Sequence, residues 1–173
     1  MKSRQGLAMP IIRRPNTTSE PHIRPATAAD VGAITQIVDD AYRHYVPRMG
    51  RTPAPMLDNH ATRVSDGVVW VVEECNMVRG VVVLLPKPDH LLLENIAVDP
   101  ACQGTGLGRR LLVFAEAEAR RQGYPEMRLY THETMTENQR LYAKIGYEET
   151  GRGAEAGYDR VFLHKRLNRG GVK

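Results

Sequence analysis

The sequence predicts a mixed α/β domain, with a mostly antiparallel central sheet of about 6-7 strands flanked by about 4 helices. Three observations predict it. β-rich runs come in close pairs at 68–85 and 147–167, as hairpin arms do. Apolar residues at 31–45, 107–119 and 136–145 recur instead at helical spacing. The apolar run Leu91–Val98 stops at Asp99-Pro100, passes through a glycine-dense turn and resumes as helix, which makes a strand, a loop and a helix in succession. Strands alternating with helices and then pairing off at the end describe a mixed sheet.

The chain has 173 residues, 42% of them hydrophobic, enough for one domain with its own core and too many for wholesale disorder. No apolar run reaches the roughly 18 residues of a membrane span, so no membrane partner is expected. The net charge is +4, partly lodged at the two ends in Arg4, Arg13, Arg14, Lys165, Arg166, Arg169 and Lys173. Only 6% of residues are aromatic and no basic stripe interleaves with them, which argues against a nucleic-acid binder. A small anionic cofactor suits the mild excess. Cys75 and Cys102 are too few and too isolated for a disulfide framework or a zinc site, so no metal is expected and both read as free thiols of a cytoplasmic protein.

Residues 1–21 carry Pro10, Pro15 and the run Asn16-Thr17-Thr18-Ser19 without a helical or alternating period, and read as a flexible lead-in with no secretory signal. His22–Thr27 reads as a short strand. Thr27 or Asp30 then caps a helix whose Ile34, Ile37, Val38, Ala41, Tyr42 and Tyr45 share a face, placing both tyrosines toward the buried side. A proline-interrupted connection over 46–56 precedes a helix at about Leu57–Val64. Val68–Glu74 and Val78–Leu85 form a hairpin through Cys75-Asn76-Met77. The helix after the glycine turn closes at Gln122-Gly123-Tyr124-Pro125. Met127–His132 is a strand, Thr136 to Ile145 a helix, and strands near 147–152 and 159–167 are separated by the glycine-containing segment 151–157. Residues 168–173 are a tail.

The turn after Val98 offers an anion backbone N–H groups without side chains, the unpaired N–H groups of a first helical turn, and the positive end of the helix dipole. A phosphate or pyrophosphate is the expected guest. Two nucleotide loops fit poorly. A P-loop needs Lys and a hydroxyl residue after its last glycine, where this chain has Arg109 and Arg110. Counted from Gly104, a dinucleotide fingerprint finds Arg109 where its third glycine belongs. The pattern that fits is Gln-x-x-Gly-x-Gly, spelled Gln103-Gly104-Thr105-Gly106-Leu107-Gly108 after Asn95-Ile96-Ala97-Val98-Asp99-Pro100. Here the chain resembles the GNAT superfamily of acyl-CoA-dependent N-acetyltransferases.

The resemblance runs from about His22 to Leu167 and implies one acyl-CoA N-acyltransferase domain over 22–167, with acetyl-CoA as cofactor and CoA as product. It implies that the amides of the 103–108 loop hold the CoA pyrophosphate, and that Ile96, Ala97 and Val98 lie along the pantetheine arm. Arg109 or Arg110 would reach a phosphate, Arg109 ranking first. Tyr142, in Tyr142-Ala143-Lys144-Ile145-Gly146-Tyr147, matches the family's Tyr-x-x-x-Gly-aromatic segment, whose phenol serves as general acid. Asn138 lies one helical turn before it and is a candidate pantetheine contact. The family's more usual asparagine stands seven residues before that tyrosine, where this chain has Met135.

Acetyl transfer from a thioester needs a neutral amine, a polarised carbonyl and a protonated leaving thiolate. An alkyl amine has a pKa near ~10.4, so a base or a water relay must take its proton. Glu94 is the first candidate, four residues before Val98 and so on the same face by strand alternation. His132, with a reference pKa of ~6.5, and Glu133 are its rivals. The Val98 N–H would meet the thioester oxygen, helped by a nearby β-bulge that splays this strand from the Leu129 strand. The resemblance further implies that the segment between the first two helices forms one wall of the acceptor site, which makes Tyr45, Met49 and Met56 candidate acceptor contacts. The acceptor would be a small-molecule, peptide or protein amine, and a homodimer is a further expected partner because many relatives form one. Two alternatives stay open: a non-catalytic acyl-CoA sensor of the same fold, and an enzyme for a different acyl group.

Overall fold

The computed structural model describes residues 20–167. The expected lead-in and tail therefore lie outside the described residues, apart from Glu20 and Pro21. In chain order the elements are β1 (His22–Pro25), α1 (Val31–Tyr42), the short α2 (Val46–Met49), α3 (His60–Ser65), β2 (Val69–Glu74), β3 (Met77–Pro86), β4 (Leu91–Val98), α4 (Leu107–Arg121), β5 (Glu126–His132), α5 (Thr136–Lys144), β6 (Glu148–Glu155) and β7 (Tyr158–Arg166). The strands form one sheet in the order β1-β2-β3-β4-β5-β7-β6. Only β4 and β5 run parallel.

Alternation along the central strands divides the core between the two faces of the sheet. Val71, Val81 and Val83 pack against Ile34, Ile37 and Val38 of α1. Val72, Val82, Leu84, Met127 and Leu129 pack with Leu111, Leu112, Ala115 and Ala119 of α4. Gly80 makes that second contact close: a Cβ there would lie 3.0 Å from Val72 Cγ1, 3.1 Å from the Ala97 carbonyl and 3.1 Å from Leu111 Cδ1. At the head of α1, Asp30 accepts the Thr27 N–H at 2.7 Å, the reciprocal half of the expected cap. Arg24 of β1 bonds the same carboxylate at 2.8 Å, and this pairing holds Asp30 well below the usual carboxylate range.

Both hairpins are tighter than expected. Cys75 and Asn76 have φ of 52° and 59°, a two-residue turn that leaves Met77 in the strand. Ala156 and Gly157, with φ of 51° and 79°, make the same kind of turn at the β6–β7 tip. Residues 151–155, expected to belong to a connection, are therefore the second half of β6, with a bulge between Glu149 and Gly151. The helix expected at about 57–64 starts later, at His60, because Asn59 caps it by accepting the Thr62 N–H at 3.0 Å.

The sheet opens at β4. Leu91, Leu92 and Leu93 pair with Met127, Arg128 and Leu129, and the parallel ladder ends there. On the other edge, the register of β4 against β3 jumps from Leu93 opposite Leu84 to Asn95 opposite Val83. Glu94 is the extra residue of that bulge. The expected bulge and the expected splay between β4 and β5 are thus both present, with the bulge four residues before Val98.

Candidate active site

Past the bulge, Asp99 N donates to the Arg79 carbonyl at 2.9 Å, which fixes the hydrogen-bonding phase of β4 against β3. Antiparallel pairing alternates, so Ala97 faces β3 with its backbone groups while Ile96 and Val98 turn theirs toward the side that β5 has left. In the splayed wedge their carbonyls meet side chains instead: Tyr42 OH lies 3.4 Å from the Ile96 oxygen, and Gln103 Nε2 donates to the Val98 oxygen at 3.3 Å.

The wedge continues into the glycine loop. Gly104 and Gly106 have φ of 79° and 91°, backbone that side chains disfavour, and Gly106 caps α4. The first helical bond there runs from Arg110 N to the Gly106 carbonyl at 3.0 Å, so the N–H groups of Leu107, Gly108 and Arg109 precede any intrahelical acceptor. Thr105 Oγ1 donates to the Cys102 carbonyl at 2.6 Å and fixes the turn. Leu107 anchors the helix by burying its side chain in the core.

A cleft of about 800 Å³ runs from this loop between α4 and α5, lined by Ile96, Val98, Gln103, Gly108, Arg109 and Tyr142 among others. Lys144 and Lys165 line it too, with Lys165 paired to the Glu116 carboxylate of the same cleft at 2.7 Å. A second pocket, of about 60 Å³, lies on the α1 side and is lined by Met49, Glu94, Tyr130, His132 and Arg160 among others. Tyr42, Ile96, Asn138 and Tyr142 line both. The larger cleft and the smaller pocket therefore meet at these four residues.

At that junction Tyr142 is buried, its ring edge-on to Tyr147 with centroids 5.8 Å apart, and burial pushes its phenol up. It is a proton donor across the neutral range. Tyr42 OH is 2.9 Å from Asn95 Oδ1, and burial pushes its phenol up as well. Glu94 and Tyr130 line the pocket together, and burial and that nearby carboxylate push the Tyr130 phenol up, so Tyr130 keeps its proton. Arg63 Nη2 lies 3.9 Å from Glu94 while its Nε is held by Asp58 at 2.9 Å, so the main partner of Arg63 is Asp58. His132 Nδ1 accepts the Thr134 N–H at 3.2 Å and touches Thr134 Oγ1 at 2.9 Å. A neutral His132 with Nδ1 as acceptor carries its proton on Nε2.

Residues 65–149 match the model of the acetyltransferase (GNAT) domain. The chain carries a GNAT domain. An amino-acid acetyltransferase from Ralstonia nicotianae is 34% identical over 121 residues, 68% of this chain and 24% of that protein. The chain spans between 19% and 26% of the length of three such curated relatives. The yncA acetyltransferase structure from Salmonella typhimurium, solved with acetyl-CoA, superposes with a TM-score of 0.66 at 26% identity, covering 90% of this chain and 98% of that one. The ribosomal-protein-S18-alanine N-acetyltransferase of Escherichia coli shares the fold, with a TM-score of 0.71 at 20% identity over 89% of this chain and 98% of that one.

The GNAT domain brings together Ile96, Val98, Gln103, Gly108, Arg109, Asn138 and Tyr142 along one cleft, and Met49, Glu94 and His132 around the adjoining pocket. Several expectations need correction. Glu94 does not share a face with Val98: the bulge inverts the alternation, so Val98 packs toward α4 while Glu94 looks toward Arg63 and Tyr130. Tyr45 lines the larger cleft and not the pocket, and Met56 packs into the core beneath α1. Glu133 is exposed and lines neither cavity. Arg110 turns away to donate to the Pro21 carbonyl at 2.8 Å, leaving Arg109 to the cleft.

Asn95, Tyr130 and Arg160 were missed. Asn95 carried a signal, because an amide in the middle of an apolar strand run must find a partner once buried. Tyr130 and Arg160 meet only through the pairing of β5 with β7, which no local pattern reveals. Among the described residues no cluster of metal-ligating side chains occurs, and no helix is long and apolar enough to cross a membrane.

Proposed function

We propose that this domain transfers an acetyl group from acetyl-CoA directly to a primary amine. The observation that carries the reading is the junction, where a long cleft running from the glycine loop and a small pocket containing a carboxylate share Tyr42, Ile96, Asn138 and Tyr142. The cleft's residues fit acetyl-CoA. The free N–H groups of Leu107, Gly108 and Arg109 suit a pyrophosphate, and the Arg109 side chain adds charge. Gly108 keeps the backbone bare there, since a Cβ would meet only Val98 Cγ2, at 3.7 Å, on the protein side. The outward backbone groups of Ile96 and Val98 suit the amides of a pantetheine arm. The structure of yncA was solved with acetyl-CoA, in keeping with this assignment.

Bound acetyl-CoA supplies a thioester whose carbonyl an amine can attack. Glu94, on the pocket side, accepts the proton of the incoming amine directly or through one water. The Val98 N–H donates to the carbonyl oxygen as negative charge builds on it. As the C–N bond forms and the C–S bond breaks, the Tyr142 hydroxyl gives its proton to the leaving sulfur and later regains one from solvent. His132 is a donor at Nε2 rather than a base, because its Nδ1 lone pair is already engaged. Among the described residues, neither cavity is lined by a cysteine or serine, which favours direct transfer over an acyl-enzyme.

The test is release of free CoA from acetyl-CoA on addition of a panel of amines, with acetylated product identified by mass. CoA release that requires an amine and yields its acetamide supports the reading. A protein that binds acetyl-CoA but releases no CoA with any amine is the sensor instead.

A further inference from the structure

We propose that the acceptor is an amine bearing a carboxylate close to its amino group, as a free amino acid does, and that Arg160 holds that carboxylate. The inference rests on the acetyl-transfer reading and deepens it. Glu94 and Arg160 are the acidic and basic side chains that line the small pocket, and both are organised around Tyr130. Glu94 lines the pocket near that tyrosine, and the Arg160 guanidinium covers its ring with Cζ 3.8 Å from the centroid. An amino acid carries both charges on one carbon, so in a pocket this small its amine would face Glu94 while its carboxylate faces Arg160.

Arg160 is prepared for such a partner. Its side chain is only 11% exposed, and its place over the Tyr130 ring restricts the guanidinium. A fork already held in place loses little freedom on binding and matches a carboxylate with two parallel bonds. Its ion partner is the Glu155 carboxylate, 2.5 Å from Nη1. Glu155 is itself 57% exposed and precedes the turn at Ala156-Gly157, so this pair is a solvated contact that a ligand carboxylate can displace. The same charges discriminate against polyamines, whose second ammonium would be driven against Arg160. The wall at Met49, Pro53 and Pro55 is apolar.

The test compares amino acids with their own carboxamides at saturating acetyl-CoA, read by CoA release. The carboxamides have the more acidic ammonium and so the larger neutral fraction, which makes a preference for the acids informative. The parent is expected to favour each accepted acid over its amide by about tenfold or more in kcat/KM. Arg160→Gln should erase that preference mainly through KM, with acetyl-CoA affinity unchanged as evidence of an intact fold. Glu155→Gln, on the exposed hairpin tip, should lower KM for the acids by freeing Arg160, an effect that a purely structural pair would not produce. Equal or better use of the amides by the parent, or a preference that survives Arg160→Gln, overturns the proposal. Turnover confined to amines without a carboxylate removes this inference and leaves acetyl transfer standing. Absence of CoA release with every amine removes both.

Discussion

Replacing Glu94 by Gln separates the proposed base from everything else this residue does. Gln keeps the size of the side chain, so it removes a charge and a basic site without opening a cavity. The cost to the fold should be small. Arg63 is held by Asp58 at 2.9 Å and lies 3.9 Å from Glu94, and a partly exposed ion pair that loose is worth about 0–1 kcal/mol. The effect on catalysis should be large, because a positioned general base contributes about 10²–10⁴-fold. Glu94 lines the pocket and not the larger cleft, so acetyl-CoA affinity should stay the same. The assay is CoA release against pH with a turned-over amine, beside a calorimetric acetyl-CoA titration and a melting curve. The expected result is a kcat lower by about a hundredfold or more at neutral pH, partly recovered at high pH where the amine deprotonates itself. A kcat within threefold of the parent would refute the assignment of Glu94. A larger loss in His132→Gln than in Glu94→Gln would refute the tautomer argument.

Three further outcomes follow from the geometry. Tyr142→Phe keeps the ring against Tyr147 and should fold normally, yet lower kcat by about 10²-fold, with the loss smallest for thioesters whose thiol is already acidic. Arg48 binds Glu137 at 2.8 Å and the Thr134 carbonyl at 2.7 Å, joining the short α2 to the start of α5, and this pairing lowers the Glu137 carboxyl from 4.5 to about 2. A depressed acid stabilises the folded state above its unfolded pKa and loses that contribution as pH falls through the folded value. The link should therefore hold above about pH 4.5 and fade toward pH 2, and an NMR titration of Glu137 should move up toward 4.5 in Arg48→Met. Gly80→Ala forces a methyl into contacts of 3.0–3.1 Å, and should cost about 1–3 kcal/mol in denaturant unfolding.

How far the sequence could be read depended on how local each signal was. Strand and helix limits came out within a few residues because alternation, helical spacing and the stops at Asp99-Pro100 and Gly123 are written in neighbouring residues. The glycine turn was legible for the same reason: Gly104 and Gly106 are needed by the backbone itself, and the helix start follows at once. Tyr142 and Asn138 were placed together by one turn of helix and do line the same cleft. The bulge at Glu94 was harder, since one extra residue leaves no mark in a run as apolar as Leu91–Val98, yet it decides which face each later side chain takes. Seen from spacing alone, Glu94 belonged with Val98; in the folded strand it belongs with Tyr130. The role of Arg160 is set by pairing between β5 and β7 and by a hairpin turn shorter than its glycines suggested. Hairpin tips with several glycines leave turn position undetermined, so charges near them were not assignable in advance.

The central claim is that the cleft beside the glycine loop holds acetyl-CoA through the backbone at the start of α4. Calorimetric titration of the parent and of a Gly106→Ala/Gly108→Ala variant tests it most directly, with circular dichroism confirming that both are folded. Gly106 has a φ of 91°, so alanine there strains the turn that presents the N–H groups, and a methyl at residue 108 adds bulk to the cleft wall beside Val98. The account predicts one acetyl-CoA bound per parent chain and an affinity at least about tenfold weaker in the variant. A folded parent that does not bind acetyl-CoA, or a variant that binds it as tightly as the parent, would contradict it.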